Sequence, residues 1–214
     1  MRRFWIALLL TLAGVSSGTA SGPLPYGSSL SFVAYRNGEP IGHHTLTFER
    51  EGGQLKVTTS IDLAVKFVGF TAYRYTHRAQ EVWSDGSFVS LVSQTDDNGI
   101  KHTVKAAREA NEIAVVRDGT RTVLPPRVLP SSHWNIEQVR QSILLNTQKG
   151  TEARVQVVPG PRESIKTSSG VIPATRYSYT GDVVMDQWFD DQGRWVKTSF
   201  KASDGSTIEY ILQG

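Results

Sequence analysis

The chain has 214 residues, with 23 Lys plus Arg against 20 Asp plus Glu, no cysteine, 39% hydrophobic residues and 20% charged ones. That much apolar character with so little net charge excludes a disordered chain, and the lack of cysteine excludes disulfides and thiolate-held zinc or iron–sulfur centres. The length fits one domain that must be held together by its core alone.

The first predicted element is an address. Arg2 and Arg3 precede the apolar run Phe4–Val15, and Ser16–Ala20 is small and weakly polar, which is the layout of a secretory signal peptide. The run is too short for a membrane span, which takes roughly 20 apolar residues. Gly18 and Ala20 suit cleavage before Ser21. The expected organisation is therefore a signal peptide, 1–20, and a single β-barrel-like domain, 21–214, in the periplasm and with no membrane span. Without Arg2 and Arg3, 21 basic groups face 20 acidic ones. No basic cluster or interleaved aromatic stripe remains to suggest nucleic acid.

From residue 28 onward the pattern alternates with period two, as in antiparallel strands with one covered face. Gln54–Phe67 is the clearest case, with Leu55, Val57, Thr59, Ile61, Leu63, Val65 and Phe67 on one side. Similar segments run through 28–36, 41–50, 71–83, 100–107, 151–158, 171–180, 182–190, 194–201 and 206–212. Asn37-Gly38, Asp85-Gly86, Asn98-Gly99 and Asp118-Gly119 between them are tight hairpin turns. The spacing leaves no room for crossover helices. So many strands predict a mainly β fold, an antiparallel meander curled into a barrel or unclosed half-barrel.

One stretch departs from the rhythm. After Pro125, Pro126 and Pro130, the residues Ile136, Val139, Ile143 and Leu144 fall at helical spacing, and Asn135 can cap. The prediction is one short helix over about 133–146, covering the apolar face of the sheet.

Alternation also places polar groups inside. In 70–83 the inward face carries Tyr73, Tyr75, His77, Ala79, Glu81 and Trp83; in 41–50 His44 points in and His43 out; in 100–107 Ile100, His102, Val104 and Ala106 point in. Phe48, Ile61, Leu63, Tyr73, Tyr75, His77, His102 and Ile143 are the candidate ligand-lining residues. His44, His77, His102 and Glu81 are the residues a metal would use, although four strands of unknown order need not converge as zinc requires. There is no nucleophile elbow at Ser131-Ser132-His133, no H-E-x-x-H, no P-loop and no dinucleotide-binding glycine pattern. No cofactor and no catalytic residue are predicted.

The stretches Tyr35-Arg36-Asn37-Gly38-Glu39-Pro40-Ile41-Gly42, Ser132-His133-Trp134-Asn135, Gly181-Asp182, Asp186-Gln187-Trp188-Phe189-Asp190 and Asp204-Gly205-Ser206-Thr207-Ile208 together resemble the exported β-rich bacterial family DUF6134, and more distantly DUF3108. The resemblance implies export and a β fold, and it brings no catalytic residues. In shape the expected architecture is similar to periplasmic lipoprotein carriers, in which a lidded, unclosed barrel shields acyl chains. Three readings stay open: a non-enzymatic binder of a lipid or other hydrophobic small molecule, an envelope scaffold with a protein partner and a filled core, and a metal-dependent activity at the inner histidines.

Overall fold

The computed structural model describes Leu24, residues 27–67 and residues 70–213; the expected signal segment, 1–20, lies outside them. The strands are β1 (Ser29–Arg36), β2 (Glu39–Glu51), β3 (Gln54–Phe67), β4 (Phe70–Ser84), β5 (Ser87–Asp97), β6 (Ile100–Arg108), β7 (Ile113–Arg117), β8 (Thr120–Leu124), β9 (Leu129–Pro130), β10 (Ile143–Leu145), β11 (Glu152–Thr167), β12 (Gly170–Gly181), β13 (Met185–Phe189), β14 (Trp195–Lys201) and β15 (Thr207–Gln213).

They form one sheet of 15 strands, in the order β8-β7-β6-β5-β4-β3-β2-β1-β15-β14-β13-β12-β11-β10-β9. Sheet neighbours are sequence neighbours except at one seam, where β1 pairs antiparallel with β15 from Ser31↔Gln213 to Arg36↔Ile208. Only β9 and β10 run parallel, with Leu144 opposite Leu129. The turns obey local chemistry. Asn37, Asp85, Asn98 and Asp118 have φ of 50°, 49°, 52° and 47°, and the glycine after each also has positive φ, the two-residue geometry that follows strand twist.

The edge strands β8 and β9 are consecutive in the chain and joined by residues 125–128, so the sheet has to come round on itself. They are not hydrogen-bonded to each other, and the barrel stays unclosed. Its inner face carries the main core: Phe32, Leu46, Val57, Trp83, Phe88, Leu91, Val104 and Trp195 are all 2% exposed or less. The Phe32 and Trp195 rings stack with centroids 3.8 Å apart, spanning β1 and β14. Trp195 and Val196 point to opposite sides, and Val196 joins Ile165, Ala174 and Trp188 in a small cluster of its own.

The covering helix predicted over 133–146 is a single 3-10 turn, Ile136–Arg140, capped by Asn135. Gln141 returns to extended backbone at φ −88°, ψ 146°, and 143–145 is a strand paired with Arg154, Ala153 and Glu152 of β11. The helical spacing arose from two different pieces of chain. Leu144 and Leu145 point to opposite faces, yet each is fully buried, in separate clusters. Residues 128–148 therefore act as a plug of mostly irregular chain against the concave face. Val128 and Trp134 are in the core, Ser93 on β5 donates to the Thr147 carbonyl at 2.6 Å, and Gln138 is bonded to Gln187 of β13 at 3.1 Å.

Candidate functional site

The inner face of β4 gives the axis of the interior. Tyr73 is half-buried, Tyr75 is 8% exposed, and His77, Ala79, Glu81 and Trp83 follow as buried residues. Three environments succeed one another along this row: an open cavity, a small polar chamber and a solid core.

At the Tyr73 end lies a cavity of about 530 Å³, within the range of small-molecule sites. Leu63 and Val65 of β3, Tyr73 and Tyr75 of β4, Phe200 of β14 and Tyr210 of β15 supply much of its wall, and Arg36, Asp97, Lys149 and Asp204 add charge. Tyr73 donates to Asp97 at 2.6 Å, and Arg36 donates to Asp204 at 2.6 Å. Burial pushes the Tyr73, Tyr75 and Tyr210 hydroxyls above the usual phenol range, and at Tyr73 the Asp97 carboxylate adds to the shift. A polar crevice of about 790 Å³ adjoins it around Asn37, Glu39, His43 and Lys66, sharing Arg36, Ile41 and Val65.

The middle of the row is a polar chamber of about 10 Å³ lined by His44, Thr59, His77, Glu81, Ser132, His133 and others, room for about one water molecule. Gln148 lines both this chamber and the larger cavity. His77 Nδ1 is 2.8 Å from Thr95 Oγ1, which itself donates to the Gln148 carbonyl at 3.1 Å. With its one proton used there, the Thr95 hydroxyl accepts from His77, so neutral His77 carries its proton on Nδ1 and offers Nε2 as an acceptor. Desolvation lowers the His77 and His133 pKa values to about 4, and pushes His44 well down with help from its imidazole neighbours. Glu81 moves the other way, because burial disfavours its anion. Both His44 nitrogens, Thr59 Oγ1 and Glu81 Oε1 are buried without a hydrogen-bond partner.

His133 is held in an unusual backbone state, φ 71°, which costs a non-glycine residue roughly 1–2 kcal/mol. Its carbonyl accepts from both Gln138 Nε2, at 3.1 Å, and Gln187 Nε2, at 3.0 Å, while its ring lies 5.1 Å from Trp195. In the sequence analysis His133, Gln138 and Gln187 had no place in the site. The position of Gln187 between Met185 and Phe189 on one strand face was a usable signal; Gln138 had none.

The predicted lining residues separate accordingly. Leu63, Tyr73 and Tyr75 line the large cavity, and Ile61 and His77 the small chamber. Phe48 is in the packed end, with its ring edge-on to Trp134 at 5.6 Å. Ile143 is a strand residue half-buried against the main core. His102 sits at the sheet rim, 2.9 Å from Asp118, instead of in the interior, and Ile100 is 64% exposed; the inward face of β6 starts only at Val104. Of the metal candidates, His44, His77 and Glu81 share the chamber and His102 does not. Among the described residues no group of three His, Asp or Glu is placed to hold a metal ion. No helix among them is long and apolar enough to cross a membrane.

No curated protein matches the chain. Among solved structures, a β-barrel-like protein of the domain of unknown function DUF1849 from Brucella abortus superposes with a TM-score of 0.60 at 11% identity, over 86% of this chain and 94% of that one. At that identity the likeness establishes the fold. The family model DUF6134, a domain of unknown function, matches residues 32–213, so the interior just described is that of a DUF6134 domain, and the chain belongs to that family.

Proposed function

We propose that the protein is exported to the periplasm and there holds an apolar or amphipathic small molecule, such as a lipid or acyl chain, in the cavity between β3, β4, β14 and β15, without converting it chemically. The observation that carries this reading is the cavity of about 530 Å³ walled by Leu63, Val65, Tyr75, Phe200 and Tyr210. Its volume and mixed lining suit a ligand with a hydrocarbon part. Each methylene moved there from water contributes roughly 0.8 kcal/mol, so a short chain gives useful affinity. Phe48, Trp83, Phe88 and Trp134 pack edge to face at the other end of the interior, which supports binding at the Tyr73 end.

Native mass spectrometry on protein purified from its own envelope, with organic extraction of the same sample, tests the reading. The expected result is a bound species in the mass range of a single acyl chain or lipid. Protein that emerges ligand-free and takes up no chain-bearing probe overturns it.

A further inference from the structure

The polar groups of the cavity do not balance. Its carboxylates are engaged: Asp97 accepts from the Tyr73 hydroxyl, and Asp204 accepts from Arg36 at 2.6 Å and from the Ser206 hydroxyl at 2.6 Å. The Asp97 charge is met by no ion pair among the described residues, and of the donors two are unengaged. The Tyr75 hydroxyl is buried with no hydrogen-bond partner, on a side chain that is 8% exposed and lines the cavity. Lys149, exposed on the cavity lining, has no ion pair among the described residues.

An unpaired buried hydroxyl costs stability, and the cost is relieved by a ligand that brings an acceptor to it. The adjoining wall, Leu63, Val65 and Phe200, has nothing to offer a second polar group. Resting on the binding reading above, we infer that the cavity receives an anionic single-chain amphiphile, whose headgroup oxygen accepts from the Tyr75 hydroxyl and is neutralised by Lys149 while its chain lies against Leu63, Val65 and Phe200. A carboxylate and a phosphate monoester offer the same acceptor chemistry. Tyr75 and Lys149 would then set specificity and the apolar wall affinity. A hydrogen bond to a charged group justifies an expected discrimination of roughly ten-fold or more.

The test is equilibrium binding of dodecanoate, dodecyl phosphate, methyl dodecanoate and dodecane to the wild-type protein and to Tyr75→Phe and Lys149→Met. Tyr75→Phe deletes only an unpartnered oxygen, so its thermal melt should match or exceed that of the wild type. The expected result is that one or both anionic probes bind roughly ten-fold or more tighter than the hydrocarbon. Tyr75→Phe and Lys149→Met each reduce that preference. Which anion is preferred identifies the headgroup as carboxylate or phosphate. If all four probes bind alike to all three proteins, the headgroup inference falls and the apolar cavity stands. If no probe binds the wild type, the binding reading itself falls and takes the inference with it.

Discussion

The Glu81 carboxylate on β4 accepts a hydrogen bond at 3.3 Å from the Trp134 indole, which lies on the plug 53 positions further along the chain. The same oxygen, Oε2, also takes the Trp83 indole at 2.8 Å. One buried acid thus ties the plug to the sheet and satisfies two indole donors. Glu81→Leu should strand both N–H groups and cost on the order of 2–4 kcal/mol in urea denaturation. Glu81→Gln keeps an acceptor. Because burial raises the folded-state pKa of Glu81, the native wild type loses stability as pH rises from the unfolded carboxylate range through its folded pKa. Relative to wild type, Glu81→Gln should therefore gain stability as pH rises through that window; a pH-independent difference would contradict the assignment.

The chamber histidines titrate with the opposite consequence. With folded pKa values near 4 for His77 and His133, the unfolded chain binds protons between about pH 6.5 and 4 that the native state refuses. Stability is full above that window and falls as pH drops through it. His77 alone should account for about 3 kcal/mol across it. Urea midpoints measured from pH 7 to 4 should show this slope, and His77→Gln should flatten it.

The backbone at His133 makes a further prediction. At φ 71° an alanine is strained and a glycine is not, so His133→Gly should be more stable than His133→Ala by roughly 1 kcal/mol. Equal melting temperatures for the two would indicate that the plug relaxes out of this conformation.

Where β2 crosses close to β3, space is the constraint. A Cβ on Gly42, at φ 151°, would sit 1.9 Å from the Asp62 carbonyl oxygen. Gly42→Ala should therefore force the two strands apart and cost at least about 2 kcal/mol, read as a lower thermal midpoint.

Occupying the cavity should separate binding from folding. Ala72 lines it and is exposed, so Ala72→Trp should leave the melt within about 0.5 kcal/mol of wild type while abolishing uptake of a dodecyl chain. Retained uptake would place the ligand elsewhere.

The hairpins were legible because their cause is local. Asn or Asp before Gly makes the turn, and alternation assigns the faces, even separating exposed His43 from buried His44. The plug was not, because what shapes it is remote: Ser93, Glu81 and Gln187 hold it from β5, β4 and β13. Alternation likewise put Tyr73 and Tyr75 on the right face but said nothing about where along β4 the interior changes from open to filled. Gln148, which lines both spaces and accepts from Thr95, marks that boundary. His102 was misplaced because a strand face stays inward only as far as the sheet is covered, and β6 outruns its cover before Val104.

The seam between Ser29–Arg36 and Thr207–Gln213 has a consequence for how the molecule is made. The middle of the sheet is formed by the first and the last of the described strands, so it cannot assemble before β15 has been made. Such distant pairing raises contact order and slows folding. Until β15 arrives, β1 can be partnered on one side alone, by β2.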